Sequence, residues 1–395
     1  MSKNLVLGLG GTVDYEIAWD SSVIEKLINE YSIHESDLGT SISVESERDL
    51  VVSILSFLKD DVGGERFVAS SDIVESFAAR FDKRITLGGT CVRAALAMRV
   101  LGVTSTVHLV SIDDHVRRLL PADIEYICSA QHDSTDPHLI VQYGEGARVR
   151  AGDIDLRAAH PNRLIFAHDP PNGELVLSDQ LGEVLSEAKV FMISGFNSIQ
   201  YTGLLNKRLH SIMQHMQHLP PDAIVYYEDA GFHVPSMSQH VRDALIDVID
   251  VYSMNEDEMQ AYLGRSIDLL DVDEMERALR KLHALIPAPA LVVHTKYWSL
   301  AVGESAGAYE AELQGGITMA STRYCYGDGF TEREYREVGS LPPSARGAEF
   351  ATAIEDRMGS AVRCLPAFVL TVDRPTTIGL GDTFVGGFIA ALAQR

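Results

Sequence analysis

The sequence contains few cysteines, and they stand far apart. Cys91, Cys128, Cys325 and Cys364 are the four thiols of a chain of 395 residues. No two of them have the Cys-x-x-Cys spacing of zinc sites or redox motifs, and the 14 histidines form no His-Glu-x-x-His pattern. We therefore expect reduced core thiols, no zinc centre and a cytoplasmic location.

Positive charge is also scarce. The chain has 33 Lys and Arg against 56 Asp and Glu, which gives a net charge of −23. A nucleic-acid surface normally needs a positive stripe, so we expect no nucleic-acid partner. The longest apolar runs have about ten residues or fewer, below the roughly 20 that a membrane-spanning helix needs. An anionic ligand would therefore be held by local groups, such as backbone N–H, a metal ion, or single Arg and Lys side chains.

Two common nucleotide-binding motifs are missing. No Gly-x-x-x-x-Gly-Lys-Ser/Thr loop occurs, which excludes a P-loop enzyme, and the protein-kinase motifs are absent as well. The dinucleotide fingerprint fails after Gly8 and Gly10, because Val13 stands where the third glycine belongs. A phosphate site in this chain must have another form.

Short apolar runs alternate with longer stretches that have helical spacing. This rhythm is typical of an α/β fold with a doubly wound, mostly parallel sheet flanked by helices. The predicted strands cover residues 5–9, 107–111, 190–194, 223–227, 248–252, 291–294 and 368–372. Residues 315–344, which are rich in glycine and proline near both ends, predict a long loop whose function the sequence does not indicate.

Residues 131–170 have a different pattern. Alternating runs at 139–143 and 164–167 predict a small antiparallel layer beside the main sheet, which would act as a lid. We therefore predict one unit with a large α/β domain, approximately 1–12, 22–130 and 171–395. The small lid would comprise approximately 13–21 and 131–170.

A glycine-rich segment near the end of the chain combines an anion site with an acid. Gly379, Leu380 and Gly381 precede Asp382, and the apolar stretch that follows predicts a helix. Backbone N–H groups at a helix start favour a phosphate. A carboxylate beside an anion would repel it unless it has a task, such as taking a proton from an attacking hydroxyl. The alternative is an ordinary glycine-rich turn in which Asp382 caps the helix.

Two earlier segments are also candidates for ligand binding. Gly88 and Gly89 open a helix of small residues, which either lets that helix pack closely or turns its start toward a ligand. Asp14 follows the first predicted strand, and open α/β sheets bind ligands at the carboxyl ends of their strands. Asp14 could equally be a solvated loop residue.

Acidic residues follow several predicted strands and would meet at one edge of a parallel sheet. Glu228 follows the strand at 223–227, and Asn255 and Glu258 follow the strand at 248–252. Oxygen ligands without histidine suit Mg²⁺. Asn255 and Glu258 would share a helix face if Ser253 caps that helix. The same residues also form an ordinary acidic helix start.

Over nearly its full length the sequence resembles the ribokinase-like superfamily of sugar kinases, and within it the ADP-dependent glucokinase and phosphofructokinase family. The matching features are Asp14, Gly88-Gly89, Ser194-Gly195, Asn255-x-x-Glu258, Val293-His294-Thr295, Ala320-Ser-Thr-Arg323 and Ile378-Gly-Leu-Gly-Asp382. The chain departs from the family at two places. Tyr226-Tyr227-Glu228 replaces its His-x-Glu motif, and residues 381–388 are more similar to ATP-using ribokinases.

The resemblance implies a kinase that transfers a phosphoryl group from ADP to a hydroxyl of a sugar or sugar phosphate, of the glucose or fructose 6-phosphate class. The roles that it implies are a general base for Asp382, an anion hole for Gly379, Leu380 and Gly381, and Mg²⁺ ligands for Glu228, Asn255 and Glu258. It also implies acceptor contacts for Asp14, Gly88 and Gly89, and nucleotide contacts for His294 and Thr295.

Several alternatives remain open at this stage. The donor could be ATP, as in ribokinase-type carbohydrate or nucleoside kinases, or the protein could be an inactive regulator that binds a sugar or a nucleotide. A sugar phosphate would need a basic residue near the lid, and Arg84, Arg148 and Arg150 are candidates. The exposed edge of a lid sheet could also pair two chains into a homodimer.

Overall fold

In the computed structural model, residues 4–232, 234–372 and 375–395 are described. The strands in these ranges are β1 (Leu5–Leu7), β2 (Thr12–Ala18), β3 (Gly64–Phe67), β4 (Lys83–Gly88), β5 (Thr106–Leu109), β6 (Glu125–Cys128), β7 (His138–Tyr143), β8 (Arg148–Ala151), β9 (Ile154–Arg157), β10 (Asn162–Ala167), β11 (Val190–Ile193), β12 (Ile224–Glu228), β13 (Val251–Asn255), β14 (Ala290–His294), β15 (Trp298–Val302) and β16 (Val362–Pro366).

The α-helices in these ranges are α1 (Ser21–Glu30), α2 (Glu47–Asp60), α3 (Ser71–Ala78), α4 (Thr90–Arg99), α5 (Asp114–Leu119), α6 (Pro170–Glu174), α7 (Leu181–Leu185), α8 (Thr202–Met216), α9 (Ser236–Leu245), α10 (Glu256–Leu263), α11 (Val272–Leu285), α12 (Glu310–Tyr326), α13 (Glu332–Gly339), α14 (Ala345–Met358) and α15 (Leu380–Leu392). No helix within the described ranges combines the length and apolar character needed to cross a bilayer.

The large sheet has the strand order β16-β15-β14-β13-β12-β11-β1-β5-β6. All neighbours from β14 to β6 are parallel, and β15 runs antiparallel to both β14 and β16. Strands β1, β5, β11 and β14 are buried at every residue, as expected for a sheet with helices on both faces. The predicted doubly wound, mostly parallel sheet is confirmed.

A second sheet of five strands has the order β3-β10-β7-β2-β4. It is mixed rather than purely antiparallel, because β2 pairs in parallel with β7 and β10 pairs in parallel with β3. Strands β3 and β4 lie outside the bounds predicted for the lid. Asp14 lies within β2 of this sheet and not at the end of β1. The proposed division into a large domain and a lid stays a prediction.

Two predictions about the last eighty residues were wrong. The segment 315–344 is not a long loop, because it contains most of α12 and all of α13. Its glycines Gly315 and Gly316 are buried inside α12, where they pack against α15. The last strand is β16, while residues 368–372 form no strand and contribute one isolated bridge, between Phe368 and Pro343.

Candidate active site

Helix α15 packs against α4 and α12, and its start has the geometry of an anion site. Gly379 is the N-cap residue, with a φ of 64° that favours glycine. A Cβ at this position would lie 2.8 Å from Cδ of Arg93, so glycine is also required by packing. The first N–H groups of a helix have no intrahelical acceptor. In α15 these groups include the N–H groups of Leu380 and Gly381.

Asp382 stands in the first turn of α15 and is not its cap. Its Oδ1 accepts a hydrogen bond of 2.8 Å from Oγ1 of Thr90, and its Oδ2 lies 3.9 Å from Nε of Arg93. A quarter of the side chain remains exposed. The carboxylate is therefore held by α4 from one side and is still open to a ligand, which excludes the interpretation that it merely caps the helix.

Asp14 is buried and both of its oxygens are already engaged. Thr12 Oγ1 donates to Oδ1 at 2.7 Å, and Arg93 Nη2 donates to Oδ2 at 2.7 Å. Gly88 of β4 pairs with Thr12, and any Cβ on Gly88 would overlap both the Thr12 hydroxyl and the Asp14 carboxylate. Asp14 is thus a buried ion-pair partner and not a solvated loop residue.

The second glycine of this pair is also explained by close packing. Gly89 caps α4 with a φ of 83°, and a Cβ there would lie 2.8 Å from Cα of Gly11. The predicted helix start after Gly88 and Gly89 is present at Thr90. Its packing places Thr90 and Arg93 against Asp382.

The predicted Mg²⁺ ligands come together at the ends of β12 and β13. Asn255 is the N-cap of α10, and it forms a capping box with Glu258, whose Oε2 accepts from the Asn255 N–H at 2.7 Å. Ser253 lies buried inside β13, so the condition considered from the sequence, that Ser253 caps this helix, is not met. Glu228 ends the neighbouring strand β12.

His294 and Tyr226 hold the carboxylate of Glu228. Nε2 of His294 lies 3.0 Å from Oε1, and the Tyr226 hydroxyl donates to Oε2 at 3.1 Å. Burial lowers the pKa of His294, but Glu228 outweighs it and the net shift is upward. An imidazole therefore still contacts this acid, although it comes from β14 rather than from the position of Tyr226.

Several acidic side chains lie close together at this edge. Burial raises the pKa of Glu258 to about 8, and repulsion from Glu228 and Asp229 adds to the effect. In the described part of the chain no three His, Cys, Asp or Glu side chains are arranged to bind a metal directly. The oxygen atoms of Glu228, Asn255 and Glu258 fit a Mg²⁺ ion that keeps most of its waters.

The two predicted nucleotide contacts have different surroundings. His294 is buried, and its ring stacks on Phe384 of α15 with centroids 4.4 Å apart. Thr295 closes the turn between β14 and β15, since Oγ1 donates to the Trp298 carbonyl and accepts from the N–H groups of Tyr297 and Trp298. His294 thus packs against the first part of α15, whereas the hydrogen bonds of Thr295 stabilise the turn between β14 and β15.

The sequence analysis gave no role to the two buried arginines beside α15, although Arg323 stands in one of the segments that carry the resemblance. Arg93 comes from α4, and Arg323 of α12 donates from Nε to the carbonyl of Ile378 at 2.6 Å. Arg323 also pairs with Asp328. For Arg93 the available signal was a charged residue inside a stretch of small apolar residues, from Cys91 to Met98.

Of the three basic candidates for a sugar phosphate, one lies at this site. Arg84 contacts Glu16 and Asp328, and it helps to line a cleft of about 310 Å³ between the second sheet and Ile378. Arg148 lies on the hairpin of β8 and β9 and pairs with Asp155 of the same hairpin. Arg150 is on that strand too, 3.8 Å from Asp155.

Comparison with known families gives one match over almost the whole chain. The model described as "ADP-specific Phosphofructokinase/Glucokinase conserved region" matches residues 3–387. A search of curated proteins returns no significant match.

Solved structures of similar fold include a phosphofructokinase from Pyrococcus horikoshii with AMP, at 16% identity and a TM-score of 0.80, with 99% of this chain and 98% of that chain covered. An ADP-dependent kinase in complex with fructose 6-phosphate and ADPβS has 14% identity and a TM-score of 0.75, with coverage of 99% and 94%. Adenosine kinase from Sinorhizobium meliloti has 12% identity and a TM-score of 0.52, with coverage of 100% and 89%. These likenesses confirm the ribokinase-like fold.

Proposed function

The chain belongs to the ADP-specific phosphofructokinase and glucokinase family, and from this premise we propose that Asp382 and the start of α15 transfer a phosphoryl group from ADP to a hydroxyl of a sugar or sugar phosphate. Membership makes the protein an ADP-dependent sugar kinase, a phosphotransferase with an alcohol group as acceptor. The predictions of family and enzyme class are confirmed.

The observation that carries the proposed mechanism is the position of Asp382 in the first turn of α15. The N–H groups of Gly379, Leu380 and Gly381 would hold the transferred phosphoryl group, since a helix start offers unpaired donors and partial positive charge. Asp382 projects from the same turn and is partly exposed. It would take the proton from the acceptor hydroxyl as the oxygen attacks phosphorus.

The residues at the ends of β12 and β13 would hold Mg²⁺, mostly through water. When bound, the ion neutralises charge on the phosphates of the nucleotide. The Glu228 carboxylate is positioned for this by His294 and Tyr226, and the capping box fixes Asn255 and Glu258. Glu228 thus keeps an imidazole partner and gains a hydroxyl partner where the family has a histidine, so Tyr226 need not abolish the site.

The acceptor would enter the cleft between the second sheet and Ile378. Glu16 and Arg84 line this cleft, as do Lys83 and Gln142. Arg84 and Lys83 are the basic groups available to a phosphorylated acceptor. A neighbour of the same fold was solved with fructose 6-phosphate and an ADP analogue, which supports the sugar phosphate over glucose as the first acceptor to test.

ATP as donor is the main alternative within the same fold. The similarity of residues 381–388 to ATP-using kinases was the reason to consider it. In the structure Phe384 and Phe388 are buried, where Phe384 stacks on His294 and Phe388 packs against Tyr226 and Tyr309. These aromatic residues are part of the core packing and do not favour ATP as the phosphoryl donor.

A donor and acceptor panel tests the proposal. Purified protein is assayed with ADP or ATP and Mg²⁺ against glucose, fructose 6-phosphate and nucleosides, and AMP or ADP production is measured. We expect turnover with ADP and a sugar or sugar phosphate. Turnover with ATP alone would disprove ADP as the donor. Binding of sugar or nucleotide without turnover would support an inactive regulator instead.

A further inference from the structure

Arg93 is a buried cation that links two carboxylates of the candidate active site. Only 5% of the residue is exposed. Nη2 donates to Oδ2 of Asp14 at 2.7 Å, and Nε lies 3.9 Å from Oδ2 of Asp382. Asp14 belongs to the second sheet and Asp382 to the last helix, so a single guanidinium spans the boundary between them.

Helix α4 reaches Asp382 with two side chains. Thr90 donates to Oδ1, and Arg93, one turn later, faces Oδ2. The aliphatic part of Arg93 packs on Gly379, because any Cβ there would meet its Cδ at 2.8 Å. The arginine therefore lies beside both the proposed anion hole and the proposed base.

Other charged and titratable groups surround Asp382 and Arg93. The charge of Asp382 contributes an upward pKa shift to three groups packed around it, namely Cys91 and Arg93 of α4 and Arg323 of α12. Arg93 is also 3.8 Å from Glu16, and it interacts with Asp328, Arg84 and Arg323.

Arg93 stays charged in these surroundings. Burial lowers its pKa, but Asp14 and Asp382 outweigh burial and the net shift is upward. Burial raises the pKa of Cys91 to about 12, so this thiol is neutral at physiological pH. Among the residues that the structure describes, Arg93 is consequently the permanent cation that lies within 4 Å of Asp382 Oδ2.

We propose that Arg93 is a positioning residue for Asp382: its guanidinium holds the carboxylate in the orientation that faces the acceptor hydroxyl, while Asp14 anchors the guanidinium. This inference rests on the proposed function, because it gives Asp382 the role of base. It also changes the expected role of Asp14. With both oxygens engaged, Asp14 acts chiefly on Arg93 rather than as a free acceptor for two sugar hydroxyls.

The test is the pH dependence of kcat in Arg93→Met. A positive charge within about 4–6 Å lowers the pKa of a carboxyl, so its removal should move the acidic limb of the kcat profile to higher pH. We expect kcat at the optimum to fall on the order of 10²-fold, as for loss of a preorganised charged group. Arg93→Lys, which keeps the charge, should restore the position of the acidic limb.

The control is Arg99→Met. Arg99 is on the same helix, but it is exposed and pairs with Asp123 at the surface, so its loss should leave the profile unchanged. If Arg93→Met does not fold, the double variant Arg93→Met/Asp14→Asn removes both charges of the buried pair, and the same limb is measured there.

The outcomes separate this inference from the proposed function. An active wild-type enzyme whose acidic limb is the same in Arg93→Met, or in the double variant, would overturn the role of Arg93 alone. A wild-type protein without turnover on any donor and acceptor would overturn the proposed function and this inference together.

Discussion

Gly315 of α12 and Gly387 of α15 pack backbone against backbone. A Cβ on Gly315 would lie 2.6 Å from the carbonyl oxygen of Gly387, and a Cβ on Gly387 would overlap the carbonyl oxygen of Gly315. The neighbouring Gly316 contacts the ring of Phe384, because a Cβ on Gly316 would lie 2.6 Å from that ring. This contact sets the position of α15, and therefore of Asp382 in its first turn.

Replacing Gly387 by alanine should destabilise the protein, because neither backbone can move away without displacing a helix. We expect Gly387→Ala to lower the free energy of unfolding by about 1–3 kcal/mol or more, as measured by urea denaturation. Gly203 in α8 has open space around it. Gly203→Ala should leave stability unchanged or raise it by roughly 0.5–1 kcal/mol. Equal effects of the two substitutions would contradict the packing argument.

The same glycines show why part of the fold was mispredicted. A glycine pair followed by further glycines and prolines resembles a loop along the chain, and propensity alone disfavours a helix there. Helix α12 forms because tertiary packing against α15 outweighs that propensity. The last strand was misplaced for a related reason, since residues 368–372 are apolar enough for a strand but β16 is set by its pairing with β15.

Asp382→Ala tests the general base directly. We expect kcat with ADP to fall at least about 10²-fold, the low end of a general-base effect, because no other acid is present in the first turn of α15. ADP binding, measured by calorimetry, should be largely retained, since the backbone N–H groups are unchanged. A variant with near-normal kcat would exclude Asp382 as the base.

The site was predicted in part because its motifs lie at strand ends and helix starts. Glu228 and Asn255 could be placed because parallel strands bring their carboxyl ends to one edge, and Asp382 because it stands at a glycine-rich helix start. The role of Arg93 could not be predicted, because it depends on which helix packs against α15, and neither could the contact of His294 with Glu228, because it depends on which strand lies two positions from β12. Nothing local in the sequence reports such long-range contacts.

Tyr262→Phe should destabilise the edge that carries the proposed Mg²⁺ ligands. Asp229 is buried and accepts hydrogen bonds from the hydroxyls of Tyr227, Tyr252 and Tyr262, of which the last is the shortest at 2.7 Å. Removing that donor from a buried carboxylate should cost roughly 1–3 kcal/mol of unfolding free energy, measured by denaturant titration.

The matched control for Tyr262 is Tyr309→Phe. The Tyr309 ring stacks on Phe388, and phenylalanine keeps that stack, so the expected change is within about 0.5 kcal/mol. If Tyr262→Phe were as stable as this control, Asp229 would not depend on the third hydroxyl.

His138 should make stability depend on pH. Its Nε2 lies 2.7 Å from Oδ2 of Asp169, and although burial lowers the pKa of His138, Asp169, Asp14 and Glu65 raise it above the ordinary value. The folded protein therefore binds this proton more tightly than the unfolded chain. The stabilisation is fully present below the unfolded pKa of about 6.5 and is lost as pH rises through the folded pKa.

His138→Gln should lower the unfolding free energy by roughly 2 kcal/mol near pH 6 and by less at alkaline pH. His160→Gln, which removes an exposed partner of Asp61, should have little effect at either pH. A pH-independent difference between wild type and His138→Gln would show that the pair is not ionic.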